Sequence, residues 1–251
     1  MLFSSIPFLY YFLPAVLLVY FVVPRNAKNA VLLLSSLVFY GWGEPKYVTL
    51  MVATIGAFYG CGLAIEKAKT QKAKKLWLTV SIVIGIVLLT VFKYADFFIQ
   101  SFAAVTGLSL PLLKLALPIG ISFYTFQCLS YTVDVYRGNV PAQKNPISFG
   151  AYVALFPQLI AGPIVRYVDV ARELNDREHT WENIKLGLRR FVFGLAKKII
   201  IADSFAKLIV LFRASGDGGL FEYIATSIDD TKFGGLTSEV NSNYIRLIHN
   251  D

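Results

Sequence analysis

Charge is scarce in this chain. Only 16% of its 251 residues are Asp, Glu, Lys or Arg, where soluble domains carry about a quarter. Hydrophobic residues reach 56%. That pairing excludes intrinsic disorder, which needs low hydrophobicity and high charge, and it argues against an ordinary soluble domain. Histidine is nearly missing: His179 sits in a solvated stretch and His249 is the third residue from the C-terminal end. Cysteine is as rare. Cys61 and Cys128 both fall in apolar runs, without Cys-x-x-Cys spacing. A zinc site needs a cluster of His, Cys and carboxylates, so no metal is expected. Gly-x-Ser-x-Gly, a Walker loop and a dinucleotide fingerprint are also absent, which excludes an esterase elbow, a P-loop and a Rossmann site.

What the chain does have is apolar length. A helix crosses the hydrocarbon core in about 20 residues. Uncharged or nearly uncharged runs occur at Leu2–Pro24, Ala30–Tyr40, Tyr47–Ile65, Leu76–Phe92 and Leu115–Val133. Pro7 and Pro14 should kink the first run or mark its start. With no basic n-region or small-residue cleavage site, that run reads as a retained span, not a signal peptide. Residues 41–46 read as a turn with Trp42 at the interface. Residues 93–114 read as an interfacial or tilted helix followed by a loop. The run 145–165 contains Pro146, Pro157 and Pro163. It reads as a discontinuous or re-entrant segment, since broken backbone at membrane depth is tolerated where protein or water covers it. Trp181, Ile184, Leu188 and Phe191 recur at helical spacing opposite Glu182, Lys185 and Arg189, behind a Thr180 N-cap. This predicts an amphipathic helix on the membrane surface. It leads into an apolar helix, 192–212, interrupted by Lys197, Lys198 and Asp203, which should snorkel or pair. The expected fold is all-α, a polytopic transmembrane bundle with one broken segment.

The net charge is +8, with +11 in residues 1–212 and −3 in residues 213–251. The basic excess lies between apolar runs, and densest of all in Glu66–Lys75. It therefore points to membrane topology and not to nucleic acid. Positive loops stay inside, so the Lys cluster should be cytoplasmic and the N-terminus extracytoplasmic.

Polar residues in apolar runs are the functional candidates, because ionisable groups at membrane depth are costly. Asp134 and Arg137 stand three apart, the spacing of a helix-end ion pair. Gln127 lies two turns before Asp134. Gln158 and Arg166 bracket the Gly162-Pro163 break. Gln127, Asp134, Arg137, Gln158 and Arg166 are thus candidates for lining a cavity, with helix–helix hydrogen bonding as the alternative.

Several blocks then carry a resemblance. Leu117 through Gln127, continuing from Ser130 to Gly138, is similar to the membrane-bound O-acyltransferase superfamily. More narrowly, it resembles the bacterial branch with the alginate O-acetylation membrane proteins. Met1–Ser5, Phe39–Pro45, Phe156–Ile164 and Gly187–Asp203 agree. The likeness covers about residues 1–212. It implies a helical bundle around a funnel in the bacterial inner membrane. It also implies transfer of an acyl group, typically acetyl, to an extracytoplasmic polysaccharide. The implied donor is acetyl-CoA or an acyl carrier, and the implied partner is a separate periplasmic acetyltransferase. Family members are about twice as long, and their catalytic histidine lies in the second half. The expectation is therefore a truncated, frameshifted or fused product, with no catalytic residue of its own and a poorly ordered non-family tail at 213–251. A non-catalytic relay subunit and a transporter are the alternatives.

Overall fold

A computed structural model describes residues 5–106, 111–113, 115–159, 165–177, 179–202, 204–206 and 209. All regular elements among them are helical. Two compact units are present, residues 1–178 and residues 179–251. The expected tail at 213–251 and His249 lie outside the described residues.

In the first unit, a π-helical turn, Pro7–Phe12, leads into α1, Leu13–Val22. Pro7 sits at the start of this helix, where a missing N–H costs nothing, whereas Pro14 lies inside the continuous helix just after its π-turn, a local adjustment that accommodates an interior proline. Helix α2, Lys28–Gly43, runs through the expected turn at Gly41-Trp42-Gly43 and stops at Glu44 instead. The residue before a proline is pushed out of helical geometry, so Pro45 sets the end. Trp42 is left 71% exposed on the last turn. Helix α3 is Val48–Lys67 and α4 is Gln71–Leu89.

The helix expected at the start of 93–114 is present, but it continues the preceding span instead of standing apart from it. A π-turn, Thr90–Tyr94, joins α4 to α5, Ala95–Thr106, in one helical rod. Its 36 residues and the 23 of Pro45–Lys67 are each long and apolar enough to cross a membrane. At 1.5 Å per residue the rod is about 54 Å long, well beyond a hydrocarbon core of about 30 Å.

The span expected at 115–133 starts late. Residues 115–118 are irregular, and α6 is Ile121–Arg137. Gly120, at φ 76°, supplies the left-handed turn into it. A Cβ there would lie 2.7 Å from the Leu159 carbonyl oxygen, so both conformation and space require glycine. Gly138, also at φ 76°, closes α6. Its N–H reaches Val135 O and that of Asn139 reaches Asp134 O, the Schellman pattern.

The proline-rich run is broken as its composition predicts. Helix α7, Pro146–Ala154, ends at Leu155, whose ψ of 112° is not helical, and α8 is Phe156–Leu159. The Gly162-Pro163 step lies outside the described residues. Helix α9, Tyr167–Asn175, comes next.

Helices α3, α4 and α6 pack closely because small residues open their faces. A Cβ on Gly62 would sit 2.6 Å from Tyr131 Cε1, and one on Gly85 2.9 Å from Leu129 Cδ1. The Ser81 hydroxyl meets that of Thr132 at 3.1 Å. Phe8, Phe12, Phe39 and Phe156 form an aromatic cluster that ties the π-turn to α2 and α8. Asn29 anchors α2 at its other end, donating to Ser148 Oγ at 2.8 Å and Leu174 O at 2.9 Å. The Arg177 guanidinium donates to Asn29 Oδ1 at 2.6 Å.

The second unit contains α10, Trp181–Lys197, and a π-turn, Lys198–Ala202. Thr180 Oγ1 caps α10 by accepting from Asn183 N–H at 3.2 Å. Asp203 lies outside the described residues.

Candidate functional site

The helix break between α7 and α8 creates the site. An unbroken helix would bond Phe156 N–H to the Tyr152 carbonyl. Leu155 turns the chain away, so both groups need other partners. Phe156 N–H donates to Ser36 Oγ on α2 at 3.1 Å. The Tyr152 carbonyl accepts from two side-chain amides, Gln127 Nε2 at 3.0 Å and Gln158 Nε2 at 2.6 Å. The Tyr152 hydroxyl donates to Val165 O at 2.9 Å. One residue thus holds α6, α8 and the stretch of chain leading to Arg166.

Arg166 completes the network. Its Nη2 donates to Asp134 Oδ1, and its Nε reaches Asp134 Oδ2 at 3.3 Å. Asn139 Nδ2 donates to the same Oδ1 at 3.0 Å. The expected i,i+3 pair between Asp134 and Arg137 is therefore corrected. Asp134 faces the buried side of α6 and Arg137 its exposed end. A planar guanidinium arriving from outside the helix grips both carboxylate oxygens, which an exposed helical neighbour does not match. The Asp134 side chain is 2% exposed and that of Arg166 52%. The hydrogen bond to the carboxylate, then its charge, pushes the Arg166 pKa above its usual value. Arg166 is accordingly a fixed cation with one side shielded and the other open.

A tyrosine box backs this pair. The rings of Tyr131 and Tyr152 each meet Tyr167 edge-on, at 5.1 and 5.2 Å. Gln143 stitches the box: its backbone N–H donates to Tyr131 Oη, and its Nε2 donates to Tyr167 Oη, both at 3.0 Å. Burial raises the Tyr167 pKa against the lowering effect of the Gln143 bond.

Of the five sequence candidates, Gln127, Asp134, Gln158 and Arg166 belong to this one network, and Arg137 stands apart at the exposed end of α6. Sequence reasoning missed Tyr152, Asn139, Gln143 and Tyr167. Tyr152 had one usable signal, its place one turn ahead of Phe156-Pro157. Lys197 and Lys198 lie in the second unit, and His179 is exposed. Among the described residues no group of His, Cys, Asp or Glu is arranged to hold a metal ion.

The chain that builds this geometry has clear relatives in sequence. A probable alginate O-acetylase AlgI of Azotobacter vinelandii is 42% identical over 214 residues, covering 83% of this chain and 43% of that protein. The probable alginate O-acetylase AlgI of Pseudomonas aeruginosa is 41% identical over 213 residues, with 83% and 41% covered. Over its matched residues, the chain belongs to the alginate O-acetylase branch of the membrane-bound O-acyltransferases. A Helicobacter pylori peptidoglycan O-acetyltransferase is 34% identical over 238 residues, with 82% and 45% covered. The chain spans less than half the length of these curated relatives. No family model and no solved structure matches it. With two helices fit to span a bilayer and relatives of this kind, it is an all-α membrane protein.

Proposed function

We propose that this chain contributes the membrane-embedded framework for O-acetylation of an extracytoplasmic polysaccharide, of the alginate or peptidoglycan type. It would sit in the bacterial inner membrane as a multi-pass protein with its N-terminus outside. The acetyl donor on the cytoplasmic side is acetyl-CoA or an acyl carrier, and the acceptor is a sugar hydroxyl. A separate periplasmic acetyltransferase is the proposed partner for the final step. One observation carries the reading: identity above 40% with alginate O-acetylases over four fifths of the chain.

Within that reading, the Asp134–Arg166 pair and the Tyr152 carbonyl clamp shape the wall of the acyl path. Arg166 offers its open side to an anionic or carbonyl oxygen, and buried Asp134 fixes its orientation.

The test is a chimera. In a Pseudomonas strain lacking its alginate O-acetylase, the matched segment of the resident protein is replaced by that of this chain. Acetate on secreted alginate is then measured. The wild-type chimera should restore acetylation, and Arg166→Gln or Asp134→Asn should reduce it strongly at equal membrane levels. A chimera that inserts stably yet leaves alginate unacetylated overturns the reading.

A further inference from the structure

Helix α10 presents two chemically different faces. One carries the half-buried Ile184 and Leu195 together with the exposed Trp181, Leu188, Phe191 and Val192. On the opposite side, a shallow open groove is lined by Leu186, Arg189, Arg190, Phe193, Gly194 and Lys197. Leu186, Arg190, Phe193 and Lys197 step by 3–4 residues along one helix face, with Arg189 and Gly194 flanking it. The composition of the groove is unusual for a solvated surface. Leu186 and Phe193 are 47% and 57% exposed, yet three cations surround them. The Arg189 guanidinium lies 5.6 Å from the Phe193 ring centroid. Among the described residues, none of the three cations has a carboxylate partner. Gly194 forms the floor, and a Cβ there would meet nothing within 4 Å. A glycine in a helix interior costs about 1 kcal/mol relative to alanine, so this open floor is kept against helix propensity.

We infer that this groove binds an anionic phospholipid of the surrounding bilayer. The phosphate meets Arg189, Arg190 and Lys197, and the upper acyl chain lies on Leu186, Phe193 and Gly194. Charge selects the occupant. Unpaired cations beside exposed apolar surface match a molecule that is anionic at one end and hydrocarbon at the other, and the protein resides where that molecule is abundant. Long Arg and Lys stems also pack along apolar surface while their heads reach a phosphate. The inference does not depend on the acetylation reading, because lipid retention is measured without turnover.

The test uses the full chain in a neutral detergent with fluorescently labelled phosphatidylglycerol. Saturable binding is expected, displaced by unlabelled phosphatidylglycerol and not by phosphatidylcholine or inorganic phosphate. The triple variant Arg189→Gln, Arg190→Gln, Lys197→Gln should lose on the order of tenfold or more in affinity, because each basic side chain near an anionic surface contributes appreciably. Gly194→Leu should weaken binding several-fold with every charge retained. If circular dichroism shows the triple variant misfolded, Arg190→Gln alone and a salt titration replace it, and both should lower affinity. Equal displacement by phosphatidylcholine, full displacement by inorganic phosphate, or variants that bind like wild type would each overturn the assignment. So would the absence of saturable binding, the result expected if protein covers this face.

Discussion

The double clamp on the Tyr152 carbonyl makes a quantitative prediction. Gln127→Leu removes one of two donors, with little change in side-chain volume. The carbonyl keeps Gln158, so the cost should be that of one hydrogen bond, about 0.6–1 kcal/mol for a membrane protein. Gln158→Leu should cost the same or less, since Gln158 is only part-buried. The double variant differs in kind. Phe156 N–H is already committed to Ser36, and Leu155 prevents the helix from closing, so the carbonyl is left buried and bare. A bare buried acceptor costs about 1–3 kcal/mol. The double variant should therefore cost up to about 3 kcal/mol, as much as about 1 kcal/mol beyond the sum of the singles. The assay is reversible unfolding in mixed micelles, titrating a denaturing detergent and following helical circular dichroism. Tryptophan fluorescence is a poor reporter, because Trp42, Trp77 and Trp181 are all exposed. Strict additivity would show that the two amides do not share one acceptor.

Ser36→Ala should destabilise by about 1–3 kcal/mol, because it strips the partner from a buried N–H at the break; Ser36→Thr should recover most of that in the same unfolding assay. Gly120→Ala should cost more than Gly138→Ala. Both need a left-handed residue, worth about 1–2 kcal/mol, but only Gly120 also faces a backbone oxygen at 2.7 Å; equal losses would refute the steric part. Gly62→Ala should cost about 1–3 kcal/mol through overpacking, since the Tyr131 ring it strikes is held by Phe149 at 4.6 Å and by Tyr167. A thermal melt indistinguishable from wild type would show that this ring yields.

Long charge-free runs made α3 and α4 legible, because uninterrupted apolar length has few other uses. Where the sequence misled, the deciding contact or geometry was small or distant. Lys93 and Asp96 read as opening a separate interfacial or tilted helix. Instead a π-turn carries the helix past Lys93, which lies 5.4 Å from the Tyr94 ring centroid, and Asp96 Oδ1 accepts Leu113 N–H at 2.8 Å. Leu115–Val133 looked continuous, although Pro118 and Gly120 held the signal for its late start. Helix α9 was passed over as polar, yet Tyr167, Val170, Ala171 and Leu174 are spaced for one buried stripe and pack on the core. Asp134 was matched to its near neighbour because helical spacing sees only local pairs. Its partner lies 32 residues on, beyond any periodicity.

The break itself was legible from three prolines, and its consequence is a matter of backbone hydrogen bonding. A broken helix at depth must rehouse its freed backbone groups. This chain does so with uncharged side chains from three elements: Ser36 on α2, Gln127 on α6 and Gln158 on α8. The result is a break with defined geometry, in which Tyr152 fixes Val165 and thereby the backbone that carries Arg166. Two cations of the first unit show the difference this makes. Arg177 commits its guanidinium to Asn29 and to the Tyr20 hydroxyl at 3.3 Å, and so ties helices together. Arg166 has five N–H donors and gives Asp134 two bonds, while half of its side chain stays open. Arg166 is held by a buried carboxylate on backbone pinned by a tyrosine, and among the described residues its remaining donors have no partner. That is why Arg166, and not Arg137 or Arg177, is the residue on which the acetyl-transfer reading should first be tried.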